Sequence, residues 1–214
     1  MKKAALYFLD KICERFPDAQ IELNYNRNDP FTLLAAVVLS AQTTDVNVNK
    51  ATPKLFEAFP DVYAFAKATP EEVEPYVRSL GFFRNKAKAL CAAARIIVNE
   101  YGGKIPKERA TLETLPGVGA KTAAVVVANI FGEPAIAVDT HVARISQRLG
   151  LTKETNPDKI ERDLTKLLPR ARLSDAHHAF IWHGRRICKA RKPLCSECPV
   201  NDQCPKIGVV KAKP

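Results

Sequence analysis

Apolar side chains recur every three to four positions along most of this chain, which is the spacing of a helix with one buried face. The first run consists of Leu6, Leu9, Ile12, Cys13 and Phe16. It predicts an amphipathic helix that Pro17 ends. Residues 31–39 are apolar on almost every side, so they predict a buried helix with Asp29 as its N-cap and Pro30 as its first residue.

Further helices are predicted where capping residues precede an apolar run. They are expected to begin at Thr69, Asp139, Asn156 and Ser174. Gly132 and Gly150 are expected to end two of the helices, because glycine readily adopts the left-handed conformation at a helix C-terminus. Residues 125–127 are valines inside a helical period, and almost no strand pattern remains. The sequence therefore predicts an all-α fold, and without a low-complexity linker any domain boundary is a packing boundary.

A turn with two glycines is the stretch around which the chain is organised. It reads Leu115-Pro116-Gly117-Val118-Gly119-Ala120-Lys121-Thr122-Ala123. We expect Gly117 and Gly119 to take positive φ and to let an outside group reach bare backbone amides. Those amides lie at the start of the next helix, where unpaired N–H groups and the helix dipole favour phosphate. The alternative is a tight corner between helices without a ligand.

The composition favours an anionic partner. The chain has 214 residues, 46% of them hydrophobic, which is enough for one compact unit or two small subdomains. Its net charge of +10 favours a polyanion such as DNA, although an anionic membrane surface would also fit. No apolar run approaches the about 18 residues of a membrane span, and the N-terminus lacks a signal-peptide core, so we expect a cytoplasmic protein.

Four of the six cysteines lie close together near the C-terminus. They are Cys188, Cys195, Cys198 and Cys204. In a reducing compartment such a group of thiols indicates a metal site rather than disulfides. Zinc and a [4Fe–4S] cluster can both use four sulfur ligands, and zinc sites tend to have two Cys-x2-Cys pairs where this chain has one. Cys13 and Cys91 lie on apolar helical faces and are predicted core residues.

The cysteine segment is also rich in cations. These are Arg185, Arg186, Lys189, Arg191 and Lys192. A metal cluster that closes this loop would fix the cations in an array facing phosphates, and the alternative is a merely solvated charged loop.

Two segments in the first half of the chain carry further candidate contacts. Residues 40–45 are a polar cluster after a buried helix, which either opens onto a site or only caps the helix. Residues 81–88 contain Phe82 and Phe83 close to three cations. The cations are Arg84, Lys86 and Lys88. The rings could stack on bases while the cations hold phosphates, or both rings could pack in the core.

Lys121 and Asp139 are the candidate catalytic residues. Lys121 lies in the first turn after the hairpin, where it could neutralise a phosphate or act as a nucleophilic amine. Asp139 follows one helix later, and a connection of this length can return its carboxylate towards the preceding helix start. A carboxylate there can help to deprotonate the amine or stabilise positive charge at a sugar carbon, while Asp139 could also cap its own helix.

The hairpin, the segment Val138-Asp139-Thr140-His141-Val142 and the cysteine spacing together resemble the endonuclease III family of DNA repair glycosylases. The resemblance covers nearly the whole chain and implies a catalytic pair of Lys121 and Asp139. It also implies that the four clustered cysteines hold a [4Fe–4S] cluster. The DNA contacts that it implies are Gln42, Phe82, Gly117, Gly119, His141, Arg191 and Lys192.

Some of these positions have more specific implied roles. Gln42 matches a glutamine that the family inserts into the gap left by an extruded base, and Phe82 stands where the family carries an apolar wedge, often leucine. His141 is expected to contact DNA or to orient other groups. Ala120 departs from the larger polar or basic residue of many relatives, which puts one phosphate contact in doubt.

The resemblance implies a helix–hairpin–helix DNA glycosylase fold with two helical subdomains and a cleft between them. Residues 22–133 would form a six-helix barrel, and residues 1–21 with 134–214 would form an iron–sulfur domain. The implied enzyme excises oxidised pyrimidines from duplex DNA and nicks the abasic site by β-elimination through a lysine Schiff base. We expect a monomer in a prokaryotic cytoplasm, associated with the nucleoid through its DNA binding.

Three other functions are weighed against this one. A mismatch adenine glycosylase would lack the lysine nucleophile that Lys121 supplies here. A non-catalytic DNA-binding protein with a structural zinc would be colourless and inactive on damaged duplex. An iron–sulfur electron carrier would undergo reversible redox cycling without DNA.

Overall fold

The computed structural model describes residues 1–209. In this range it contains eleven α-helices and no β-strand, so the all-α prediction is confirmed. The helices are α1 (Lys2–Arg15), α2 (Pro30–Leu39), α3 (Asp45–Ala58), α4 (Val62–Lys67), α5 (Pro70–Val77), α6 (Phe83–Tyr101), α7 (Arg109–Glu113), α8 (Ala120–Phe131), α9 (Thr140–Arg148), α10 (Pro157–Leu167) and α11 (Leu173–Arg186). No described helix is long and apolar enough to cross a membrane.

The chain divides into two compact units. Glu22–Gly132 form the first, which we call the hairpin unit. Met1–Ile21 and the segment that starts at Glu133 form the second, which we call the cysteine unit.

The hairpin unit is built around α2. Every residue from Phe31 to Leu39 is buried, as the apolar pattern predicts. Asp29 accepts a hydrogen bond from the Phe31 amide at 2.9 Å and Pro30 is the first helical residue, which confirms the predicted N-cap. Because α2 packs against α3, α6 and α8, the helix that follows the hairpin is anchored to the core of its unit.

In the cysteine unit, α9 packs against α11, and α1 packs against α11. The largest buried side chains in this core include Phe8, Leu9, Ile12, Ile145 and Phe180. These apolar residues recur at helical spacing on α1, α9 and α11, so burial of one stripe on each helix explains why the three pack together.

Most predicted helix ends are confirmed. Thr69 and Glu72 form the capping box at the start of α5, and Asn156 caps α10 through its side chain. Gly132 ends α8 with φ +65°, and Gly150 follows α9 with φ +69°. The last helix differs slightly, because α11 begins one residue before Ser174 and no side chain caps it.

Candidate functional site

The hairpin is fixed by two buried side chains and one glycine. Leu115 and Val118 are buried, and the Val118 amide donates to the Leu115 carbonyl at 3.0 Å. Gly117 has φ +79°, a conformation that glycine adopts without steric cost. A Cβ on Gly117 would lie 2.8 Å from the Cβ of Ala89 and 3.3 Å from Cγ1 of Val38. The turn therefore rests directly on α6 and α2.

Gly119 does not have the positive φ that we expected. Its φ is −95° and its ψ is 177°, an extended conformation that any residue adopts, so this prediction is wrong. Gly119 is the exposed N-cap of α8, and it offers no side chain to cap the helix. A Cβ there would meet no described atom within 4 Å. Glycine is thus not needed for the fold at this position, but it leaves the first amides of α8 open to an outside anion.

Lys121 is the second residue of α8 and is exposed. Within residues 1–209, no hydrogen bond or ion pair holds its ammonium group. The helix start beneath it is fixed, because α8 packs on α2 and α7, and the residues from Ala123 to Val127 are buried. The result is an amine on a rigid base, next to an amide cluster that can bind phosphate.

Asp139 is the N-cap of α9 and is half-buried. Its Oδ1 accepts hydrogen bonds from the amides of His141 and Val142, each at 2.8 Å, which confirms the predicted cap. Both bonds use the same oxygen, so Oδ2 keeps its lone pairs for another group. The capping bonds fix the carboxylate, and its second oxygen can act chemically.

His141 lies one turn from a cation on the same helix. Its Nδ1 is 3.2 Å from Nη2 of Arg144, and Nη2 also donates to the Gly184 carbonyl at 2.9 Å. Burial lowers the pKa of His141, and the charges of Arg144 and Arg185 lower it further. A Cβ on Gly184 would come within 2.9 Å of the imidazole, so this glycine makes room for the ring. His141 is therefore a fixed and mainly neutral hydrogen-bonding group at neutral pH.

Gln42 and Phe82 share an unusual backbone conformation. Gln42 has φ 53° and Phe82 has φ 56°, in the left-handed region that side chains other than those of glycine seldom occupy. Gln42 is exposed, and Phe82 is 64% exposed. Core packing of Phe82 is therefore wrong, and an exposed ring on a strained backbone is typical of a contact site. Phe83 is half-buried, beneath the guanidinium of Arg84 at 5.4 Å from the ring centroid.

The four clustered cysteines line one pocket of the cysteine unit. All four are unbridged and half-buried. Burial, together with the charges of the thiols around it, raises the pKa of Cys198 to about 11. Thiolates in this pocket consequently need a bound cationic group.

The basic side chains of this segment differ in their surroundings. Lys189, Arg191 and Lys192 are exposed. Arg186 stacks on Trp182, with its guanidinium carbon 3.9 Å from the ring centroid. The loop therefore presents cations to solvent beside the cysteine pocket.

The family is decided by comparison with known proteins. Residues 35–170 match the HhH-GPD superfamily of base excision DNA repair proteins, and residues 188–204 match the iron–sulfur binding domain of endonuclease III. The chain is 49% identical to endonuclease III of Synechocystis sp. over 205 residues, which cover 95% of this chain and 93% of that protein. The chain belongs to the endonuclease III family.

Solved structures agree with this assignment. A trapped endonuclease III–DNA covalent intermediate, in an estranged-adenine complex, is 43% identical and superimposes with a TM-score of 0.90 over 96% of both chains. A thermostable thymine-DNA glycosylase is 26% identical, with a TM-score of 0.86 over 95% of this chain and 96% of that one. The predicted helix–hairpin–helix glycosylase fold is thus confirmed.

The [4Fe–4S] cluster of the endonuclease III family is the cofactor of this chain, and the cysteine pocket fits it. The sulfur ligands of such a cluster stand further apart than those of one zinc ion. Among the described residues, no three His, Cys, Asp or Glu side chains come together closely enough for a single metal ion. The match to the iron–sulfur binding domain of endonuclease III therefore favours the cluster over zinc.

Two buried polar residues at this pocket, Arg148 and His183, were not predicted from the sequence. Nη1 of Arg148 lies 3.3 Å from Sγ of Cys188 and donates to the Lys189 carbonyl at 2.7 Å. Nε2 of His183 lies 3.6 Å from Sγ of Cys198. The available signal was their position, since each stands at helical spacing among apolar residues where the pattern favours another apolar side chain.

Proposed function

We propose that this chain excises oxidised pyrimidines from duplex DNA and then nicks the abasic site, with Lys121 as the nucleophile. As a member of the endonuclease III family it is a DNA N-glycosylase and abasic-site lyase of base excision repair. One observation carries the assignment of the nucleophile. The amine of Lys121 is exposed and unpaired in the described chain, and it stands in the first turn of a helix that has no side-chain cap.

The reaction begins with extrusion of the damaged nucleotide, because a stacked base hides its glycosidic carbon. The Lys121 amine attacks C1′, the C1′–N bond to the base breaks, and the base leaves with the bonding electrons and takes up a proton. Opening of the sugar gives a Schiff base between Nζ and C1′. Loss of a C2′ proton then expels the 3′ phosphate and nicks the strand. A trapped covalent intermediate of a relative with 43% identity supports this route.

Asp139 assists as a fixed carboxylate. With Oδ1 held by two amides, Oδ2 can accept the proton that Lys121 loses, or stabilise the positive charge that develops at C1′. The cap and the chemical role use different oxygens, so one residue can perform both.

The remaining site residues are proposed to bind DNA. Gly117 and Gly119 bring backbone amides to a phosphate, and Gln42 and Phe82 enter the stack around the extruded nucleotide. His141 offers a fixed hydrogen-bonding group. Arg191 and Lys192 are exposed cations for the phosphate backbone. We propose that the enzyme acts as a monomer on duplex DNA, in the cytoplasm and on the nucleoid.

The cluster would be held by the four cysteines of the pocket. These are Cys188, Cys195, Cys198 and Cys204. When bound, it would tie together the segment that follows α11 through four iron–thiolate bonds. The proposed reaction requires no electron transfer, so we assign the cluster a structural role in presenting the loop to phosphates.

Borohydride trapping on a duplex with a single abasic site tests the nucleophile. Wild type is expected to give a covalent adduct, and Lys121→Gln to give none while it still binds the duplex. Lys54→Gln removes an exposed lysine of α3 and is the matched control, which should trap like wild type. An adduct that persists in Lys121→Gln would move the nucleophile to another amine. A wild type that binds but never traps would refute the lyase mechanism.

A further inference from the structure

Lys86 is a buried lysine in the first turn of α6. Only 6% of its surface is exposed, whereas the neighbouring cations Arg84 and Lys88 are exposed. From the sequence, all three are candidate cations for phosphates. For Lys86 this is contradicted, because its Nζ points inward and donates to the Thr43 hydroxyl at 2.8 Å.

The ammonium group of Lys86 is bound by a neutral hydroxyl. No carboxylate among the described residues forms an ion pair with it, and the hydroxyl of Thr43 is the acceptor that the structure provides. Burial lowers the pKa of Lys86. Burying an ammonium group against one neutral partner costs free energy. The contact between Lys86 and Thr43 therefore calls for a functional explanation.

Thr43 lies next to Gln42 in the turn that follows α2. The Thr43 amide donates to the Ser40 carbonyl at 3.1 Å, and the Ser40 hydroxyl donates to the Val37 carbonyl at 2.8 Å. Gln42 stands inside this turn with its φ of 53°. The side-chain bond from Lys86 thus reaches the residue that directly follows Gln42.

The backbone of Lys86 reaches the second contact residue. Its amide donates to the Phe82 carbonyl at 3.0 Å, the bond that starts α6. Phe82 is the N-cap of that helix with φ 56°. Lys86 therefore bonds through its main chain to Phe82, whose backbone is strained. Through its side chain it bonds to Thr43, which lies 43 positions earlier in the sequence and directly follows the strained Gln42.

We propose that Lys86 is a positioning residue that holds Gln42 and Phe82 at a fixed separation, so that both side chains enter the duplex together. The inference rests on the proposed function, in which these two residues insert around the extruded nucleotide. If the two side chains are already fixed in the free protein, less conformational entropy is lost when they bind DNA. This positioning also accounts for the strain at both residues, which persists only where surrounding contacts enforce it.

The test compares Lys86→Met and Thr43→Val with their double variant. Each single change removes one side of the bond at similar volume, and Lys54→Met, at an exposed lysine of α3, and Thr43→Ser are the matched controls. The probes are a duplex with a paired oxidised pyrimidine, a duplex with a preformed abasic site, and a duplex with 2-aminopurine opposite the lesion. Lys86→Met and Thr43→Val should each slow single-turnover excision of the paired base by about tenfold or more, as misplaced groups do. Both should also reduce the 2-aminopurine signal of opened DNA.

Four further results decide the proposal. The double variant should be no slower than either single variant, and Thr43→Ser should restore excision. Borohydride trapping on the preformed abasic site should change little, since no base has to be unstacked there. The slope of log Kd against log salt should stay unchanged, because loss of a phosphate contact would reduce it by about one.

Other outcomes would overturn the proposal. A reduced salt slope for Lys86→Met with a normal Thr43→Val would assign Lys86 to a phosphate. A parallel loss of thermal stability, trapping and excision without rescue by Thr43→Ser would make the bond merely structural. If Lys86→Met does not fold, normal excision and 2-aminopurine signal in Thr43→Val would still refute it. Failure of wild type to trap would refute the proposed function itself, which is a separate result.

Discussion

Gly117 and Gly119 stand two residues apart in one hairpin, yet their surroundings are opposite. A Cβ on Gly117 would press against Ala89 at 2.8 Å, whereas a Cβ on Gly119 would meet no described atom within 4 Å. Only Gly117 has positive φ. The first glycine is therefore required by the fold, and the second is left to be explained by an outside partner.

Alanine substitutions at Gly117 and Gly119 should separate the requirement of the fold from that of an outside partner. Gly117→Ala is expected to lower the free energy of unfolding by about 1–3 kcal/mol through left-handed strain, with the Ala89 contact adding to it. Gly119→Ala should change it by less than about 1 kcal/mol, as for other neutral N-cap changes. It should instead weaken binding to an abasic duplex by about tenfold, equivalent to about 1.4 kcal/mol.

Urea unfolding and fluorescence anisotropy measure the two effects. Both variants are compared at one salt concentration, since affinity for DNA varies steeply with salt. Tight binding by a stable Gly119→Ala protein would show that the methyl group does not obstruct the phosphate, and the amide contact would be wrong.

Asp139→Asn should separate the two roles of Asp139, which are to cap α9 and to take part in the reaction. Asparagine is as good an N-cap as aspartate, so the thermal midpoint should stay close to that of wild type. The variant loses the carboxylate that accepts a proton or stabilises charge, and single-turnover excision should fall by about 10²–10⁴-fold.

Asp139→Ala provides the comparison for that variant. It removes both capping bonds, so it should also lower the free energy of unfolding by about 1 kcal/mol. An Asn variant with full activity would leave Asp139 with the cap alone.

The sequence predicts much of this structure where the cause is local. Asp29 before Pro30, and Asp139 before an apolar stripe, specify helix starts through bonds to amides two or three residues away. Gly132 specifies a helix end through its own φ. Such signals involve a few consecutive residues, so a single sequence is sufficient to find them.

The features that the sequence did not show depend on distant residues. In the sequence, Lys86 and Arg148 look like ordinary basic residues. Their roles depend on contacts with distant residues: Lys86 donates to Thr43, and Arg148 donates to carbonyls of the loop after α11. Tertiary contacts decide both. The backbone of Gly119 was mispredicted for a local reason, because an N-cap residue normally adopts an extended conformation.

Phe82→Gly should lower the excision activity without lowering the thermal stability. Glycine relieves a left-handed backbone that costs a side chain roughly 1–2 kcal/mol, and the ring that it removes is 64% exposed. Thermal stability is therefore expected to stay equal or to rise. Excision of a paired lesion should slow because the apolar wedge is lost.

Phe83→Ala is the matched control for the wedge. Phe83 is half-buried beside the same segment, so its loss should cost stability without a selective effect on paired lesions. A Phe82→Gly protein that excises paired lesions at the wild-type rate would assign the wedge to another side chain.

Arg148 should govern how firmly the cluster is retained. Its guanidinium donates to the carbonyls of Lys189 and Ala190 at 2.7 and 2.9 Å and approaches Sγ of Cys188 at 3.3 Å. Arg148→Met keeps the side-chain volume but leaves these partly buried acceptors without their donor. Visible absorbance of the cluster should decay in chelator about tenfold faster than in wild type, as for other lost outer-shell contacts of metal sites.

Far-ultraviolet circular dichroism shows whether the rest of the cysteine unit remains folded. We expect the rest of the unit to remain folded, because the packing of α9 on α11 depends on apolar residues such as Ile145 and Phe180. Arg162→Met removes an exposed arginine of α10 and should keep the wild-type decay rate. Equal cluster lifetimes in Arg148→Met and Arg162→Met would show that the four cysteines hold the cluster without help from α9. A shorter lifetime with intact helices would place Arg148 among the residues that keep the basic loop in its DNA-binding form.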